Sequence, residues 1–125
     1  MGLIYFAECP ACGEGAMLMV GYGMRGSEFM RETICKGKYG SGPIEFLMEH
    51  PDSFISAGRF VYTCGCGYIA ALPEAVLRDG DSEYRIRHQC PECGKELLKH
   101  DEVPESHKCR CGAEMRISCT GDIWD

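Results

Sequence analysis

A small, mainly β fold (α+β) is what this chain of 125 residues predicts: two cysteine-stapled β units, the first with a helical insertion, joined by a β-hairpin. Three observations predict it. Eight of the ten cysteines stand in four close pairs spread along the chain. Short runs rich in aromatic and β-branched residues flank those pairs, the composition of strands and not of long helices. The last stretch, residues 88–125, is only 38 residues long, under the roughly 40 residues below which a chain buries too little apolar surface to fold without a staple.

The pairs are Cys9-Pro-Ala-Cys12-Gly, Cys64-Gly-Cys66-Gly, Cys90-Pro-Glu-Cys93-Gly and Cys109-Arg-Cys111-Gly. A CPxCG turn precedes a CxCG turn twice, so the chain reads as an internal tandem of one unit. Such short gaps let both sulfurs of a pair turn to one point, and the glycine after the second cysteine can take the positive φ of a tight turn. Met1 to Cys9 lacks the basic flank and long apolar run of a secretory signal, and no apolar stretch approaches the roughly 20 residues that span a bilayer. The expected address is therefore cytoplasmic, where thiols stay reduced and a metal is the leading explanation for paired cysteines. Four thiolates about 2.3 Å from one dication form the closed, tetrahedral, all-cysteine shell of a structural zinc site.

Pro-x-Cys-Gly after a first cysteine, twice, resembles the zinc-ribbon family, with rubredoxin-like knuckles. The resemblance implies a metal-stabilised fold of two zinc β-ribbons binding two Zn2+, with Cys9, Cys12, Cys64 and Cys66 at a first site. It places Cys90, Cys93, Cys109 and Cys111 at a second. The second pair of each unit is CxC where the family pattern is CxxC, which makes that turn tighter in both copies. The tandem turns and the C-terminal ending are also similar to small bacterial zinc-ribbon proteins, a likeness that brings no activity with it. Sequential pairing closes loops of 51 and 15 intervening residues and a cross-braced one 77 and 42, a difference of only about 1 kcal/mol. The repeat order favours the sequential assignment, since each copy holds a full ligand set.

Taken along the chain, Leu3 to Glu8 and Ala16 to Val20 are expected strands around the first turn, and Arg59 to Thr63 and Tyr68 to Leu72 around the second. These make a first ribbon over residues 1–72, interrupted by a helical insertion at 21–58 packed on it. Within the insertion Ser27 is positioned to cap a helix through Cys35 that Gly37 ends, and Pro43 to start another with Ile44, Leu47 and Met48 on one face. Pro51 stops that helix, and Phe54 and Ile55 add apolar contact. Residues 73–87 form the linking hairpin around Asp79-Gly80. Residues 88–125 complete a second ribbon with strands at Glu96 to His100 and Met115 to Cys119.

Thirteen Lys and Arg against nineteen Asp and Glu give a net charge of -6, and eight zinc-bound thiolates would carry it to about -10. That acidity disfavours nucleic acid as a partner. Gly21-Tyr-Gly23-Met-Arg-Gly26 matches the dinucleotide pattern G-x-G-x-x-G, but the chain lacks the strand-helix-strand units such a site needs. Tyr22, Met24 and Arg25 form a candidate recognition tip, and Trp124 is a second candidate for partner contact. Cys35 and Cys119 are left over and read as small buried thiols. His88 and His107 stand two residues before cysteine turns that already have four sulfurs each. No general acid and base pair, nucleophile or open metal position is visible, so the expectation is a non-catalytic scaffold for a protein partner. The alternatives are a nucleic-acid-associated zinc ribbon and an iron-binding, rubredoxin-like electron carrier.

Overall fold

The computed structural model describes residues 2–23 and 26–124. Among them the elements run β1 (Gly2–Glu8), β2 (Gly15–Gly21), α1 (Gly26–Cys35), α2 (Ser41–Glu49), β3 (Phe54–Thr63), β4 (Ile69–Asp79), β5 (Ser82–Arg85), β6 (Leu98–His100), β7 (Ser106–Lys108) and β8 (Glu114–Trp124). The mainly β class holds, and the expected strands around the cysteine turns form. The hairpin closes where Asp79 pairs with Ser82 across Gly80 and Asp81, with Gly80 at φ 60°.

Every ladder is antiparallel, and the strands lie in the order β5-β4-β3-β2-β1-β8-β7, with β6 on the free side of β3. The join in the middle is slight: β2 meets β3 only where Gly21 faces Arg59. The sheet therefore divides into a lobe of β2, β1, β8 and β7 and a lobe of β5, β4, β3 and β6.

This topology corrects the division into 1–72, 73–87 and 88–125. β4 runs unbroken from Ile69 to Asp79 across the first boundary. β8 pairs along β1 and β6 pairs with β3, so strands of the C-terminal stretch are built into the sheet of the first. Burial explains why. Ala7 and Leu18 of the β1/β2 hairpin pack in one cluster with Val61 and Ala71 of the other lobe and with Met115 of β8. Neither hairpin is wide enough to cover its own apolar face, and a 38-residue stretch gains a core by lying on its neighbour.

The helical insertion forms with local differences. Gly37, at φ 85°, donates its N–H to the Ile34 carbonyl at 2.9 Å and ends α1, as expected. Ser27 does not cap that helix; its Oγ donates to the Ile55 carbonyl at 2.6 Å and ties α1 to β3. On α2, Pro43 and Leu47 are buried while Met48 is 77% exposed. One residue past Leu47 is about 100° around the helix, so Phe46 takes the inward place expected of Met48. Phe54 is 71% exposed and Ile55 buried, the alternation of a strand with one face covered. Met30, Ile34 and Leu47 pack with Ile55, Ala75, Leu77 and Ile86. The helices thus cover the end of β3 and β4 far from the cysteines, together with the linking hairpin.

Candidate metal centres

Each cysteine turn joins two paired segments. Cys9 to Cys12 links β1 to β2, Cys64 to Cys66 links β3 to β4, and Cys109 to Cys111 links β7 to β8. Cys90 to Cys93 lies between Gln89 and Glu96, which form an isolated bridge. In all four the glycine after the second cysteine has positive φ: 78° at Gly13, 106° at Gly67, 78° at Gly94 and 95° at Gly112. Each of those glycines donates to the carbonyl of the first cysteine of its turn at 2.9 to 3.0 Å. The first cysteine's amide donates in turn to the carbonyl of the residue after the glycine, which is Glu14, Tyr68, Lys95 or Ala113. Glycine is needed because a Cβ at such φ crowds the backbone.

The sulfurs meet in two clusters, Cys9, Cys12, Cys109 and Cys111 in one and Cys64, Cys66, Cys90 and Cys93 in the other. In each the first cysteine of a turn is buried and the second exposed. All eight cysteines expected to bind metal are used, but the sequential grouping is corrected. The first CPxC turn pairs with the last CxC turn, and the inner two turns pair with each other. Each cluster still joins one CPxC turn to one CxC turn, the outer two turns in one cluster and the inner two in the other. Loop closure opposes this by about 1 kcal/mol, since the intervening loops become 96 and 23 residues. The β1/β8 and β3/β6 ladders outweigh so small a difference and bring the turns together pairwise.

Geometry fits a tetrahedral ion. Cys9 Sγ lies 3.5 Å from Cys111 Sγ and Cys12 Sγ 3.7 Å from Cys109 Sγ; Cys64 to Cys93 is 3.3 Å and Cys66 to Cys90 is 3.6 Å. Four sulfurs about 2.3 Å from a common centre stand about 3.8 Å apart. A disulfide would need about 2.05 Å. Two four-cysteine clusters able to hold metal ions are therefore present.

Their electrostatics ask for a cation. The amide of Cys12 lowers the Cys9 thiol, burial opposes it, and the Ala11 amide with the Cys111 and Cys12 thiols completes the shift to about 7. Burial pushes the Cys90 thiol up, yet the amides of Cys93 and Glu92 and the thiols of Cys66 and Cys93 bring it to about 7. Cys12, Cys66, Cys109 and Cys111 go the other way. At each an amide favours the thiolate, and burial with neighbouring sulfurs outweighs it and raises the thiol. Each cluster thus sets a thiol eased toward the thiolate, Cys9 or Cys90, beside others held protonated, and bare thiolates packed this closely would repel. A dication removes that repulsion.

The clusters touch. A Cβ on Gly67 would lie 2.5 Å from the Arg110 amide nitrogen, so the two CxC turns pack backbone to backbone. Arg110 also pairs with Glu14 at 3.3 Å and Glu92 at 2.8 Å, joining the CPxC turns of both clusters. This bridge had no signal in spacing, because it depends on which turns are neighbours.

His88 donates Nε2 to the Pro73 carbonyl at 2.6 Å and sets its ring edge against Tyr62. His107 lies against the backbone of Cys64, Gly67 and Tyr68, and burial lowers its ring pKa, with His100 adding to the effect. Neither histidine joins a cluster. Cys35 and Cys119 are exposed, not buried as expected. Tyr22 packs its ring over Gly58 and edge-on to Phe60. Met24 and Arg25 lie outside the described residues. Trp124 folds back on β1 and β2, donating Nε1 to the Val20 carbonyl at 3.1 Å and covering Gly2. No described helix is long and apolar enough to cross a membrane. No known protein family, curated protein or solved structure matches the chain.

Proposed function

We infer that the protein is a non-catalytic zinc protein whose two four-cysteine sites hold a rigid scaffold for a protein partner. The observation that carries this reading is the donor set: each cluster supplies four sulfurs, two from each of two rigid turns. Four thiolates complete the coordination of Zn2+ and leave no vertex for an activated water. The helical insertion is the contact region in this reading, because it keeps large apolar side chains in solvent. Phe29, Met48 and Phe54 are each more than two-thirds exposed, and side chains of this kind anchor partners.

Elemental analysis of protein purified without added metal tests the metal. Two zinc per chain and a colourless solution are expected; red protein carrying iron would replace the proposal with electron transfer. A photo-crosslinking residue at Met48 or Phe54, compared with one at exposed Glu114, tests the contact region in cells. Discrete protein adducts from the insertion alone are expected, and equal labelling at all three positions would remove the scaffold role.

A further inference from the structure

A groove of about 680 Å³ lies between α1 and the strands β2, β3 and β4. Its walls are mostly apolar, with Met19, Phe29, Met30, Leu72 and Trp124 among them. All three glycines of the G-x-G-x-x-G pattern line it, as does Gly58. In this antiparallel fold they make no dinucleotide crevice, and the Tyr22 ring lies over Gly58. The volume is that of a small-molecule site.

Its charge departs from that of the whole chain. The net charge is -6, yet the described lining holds two cations, Lys38 and Arg59, and no Asp or Glu. Arg59 spends Nε on the Met19 carbonyl at 3.1 Å and Nη2 on the Ala71 carbonyl at 2.8 Å, both neutral acceptors. Lys38 stands over the Tyr39 ring at 5.9 Å. Among the described residues neither has a carboxylate partner. A guanidinium in an apolar wall, with its charge unmatched, favours an anion at its free edge.

We propose that this groove binds a small free carboxylate with an apolar body, the carboxylate between Arg59 and Lys38 and the body against Phe29, Leu72 and Trp124. The proposal is independent of the metal chemistry, and it shares Phe29 with the contact region of the scaffold reading. Trp124 is the only tryptophan and lines the groove, so it reports on occupancy.

The test titrates the metal-loaded full chain with decanoate below its micelle concentration, reading tryptophan fluorescence, with decylammonium as the opposite-charge control. Expected is a saturable change with decanoate and at least a roughly fivefold weaker response to decylammonium. Lys38→Gln should weaken decanoate about fivefold. Arg59→Lys, chosen over Arg59→Gln because it keeps the charge, should weaken it less than Lys38→Gln combined with Arg59→Lys. Amide NMR should place the shifts at Gly21 and Gly58. A response that never saturates, equal binding of decylammonium, shifts elsewhere on the sheet, or unchanged affinity in the double variant would overturn the assignment.

Discussion

Gly13 and Gly67 occupy matching places after a cysteine turn, and both have positive φ, yet their surroundings differ. Around Gly13 there is open space for a Cβ, while Gly67 lies against the Arg110 backbone. Gly13→Ala is expected to cost about 1–2 kcal/mol from backbone strain alone. Gly67→Ala adds a steric overlap and should cost about 2 kcal/mol more. Urea unfolding of the metal-loaded variants measures both, and equal losses would mean that the CxC turns are not packed together. A second expectation concerns protons. In the metal-free fold Cys9 and Cys90 titrate near 7, below the ordinary 9.0. A thiol whose pKa is depressed by folding contributes stability that is full above 9.0 and lost as pH falls through 7. The difference in urea midpoint between metal-free wild type and Cys9→Ala/Cys90→Ala should therefore widen as pH rises from about 7 to about 9. A difference that stays flat or narrows contradicts the direction given for these thiols.

At the level of elements, the pairing of outer with outer and inner with inner turns makes a prediction that sequential pairing does not. Cys109→Ser breaks the cluster of Cys9 and Cys12 and leaves Cys64, Cys66, Cys90 and Cys93 complete. Alkylation followed by mass spectrometry should find Cys12 newly reactive and Cys93 still protected. Sequential pairing would give the reverse. The turns themselves were legible in sequence, because Cys, Gly and Pro at fixed offsets dictate local backbone and little else. Strands such as Leu3 to Glu8 were legible for a similar reason, since they run straight into those turns. Which turn faces which was not, because the decision rests on β8 choosing β1 and β6 choosing β3. Repeat order carries no information about a swap that preserves every local element. Met48 and Cys119 show the same limit on a smaller scale: their exposure is set by which neighbours arrive, not by their own type.

Over the whole molecule, the inner cluster, Cys64 to Cys93, is nested between the two halves of the outer one, Cys9 with Cys12 and Cys109 with Cys111, so the two sites should load as a coupled pair. Each ion would fix one CPxC turn and one CxC turn. The Gly67 and Arg110 backbones are in contact, and Arg110 reaches Glu14 of one cluster and Glu92 of the other. The ion pairs are exposed, which makes each a minor contributor. The backbone contact is the stronger link, since ordering the Cys64 to Gly67 turn presents a finished surface to the Cys109 to Gly112 turn. Binding the first ion then lowers the ordering cost of the second, which is positive cooperativity without a change of shape. Cys66→Ser/Cys93→Ser, which removes one site, should weaken metal at the remaining one by about fivefold, the lower end of ordinary coupling between sites. Competition against a coloured chelator measures it. Arg110→Met, which keeps the backbone contact and deletes the ion pairs, should preserve most of the coupling. If the remaining site binds metal as tightly as in the intact chain, the two centres are neighbours without communication, and the contact at Gly67 is packing alone.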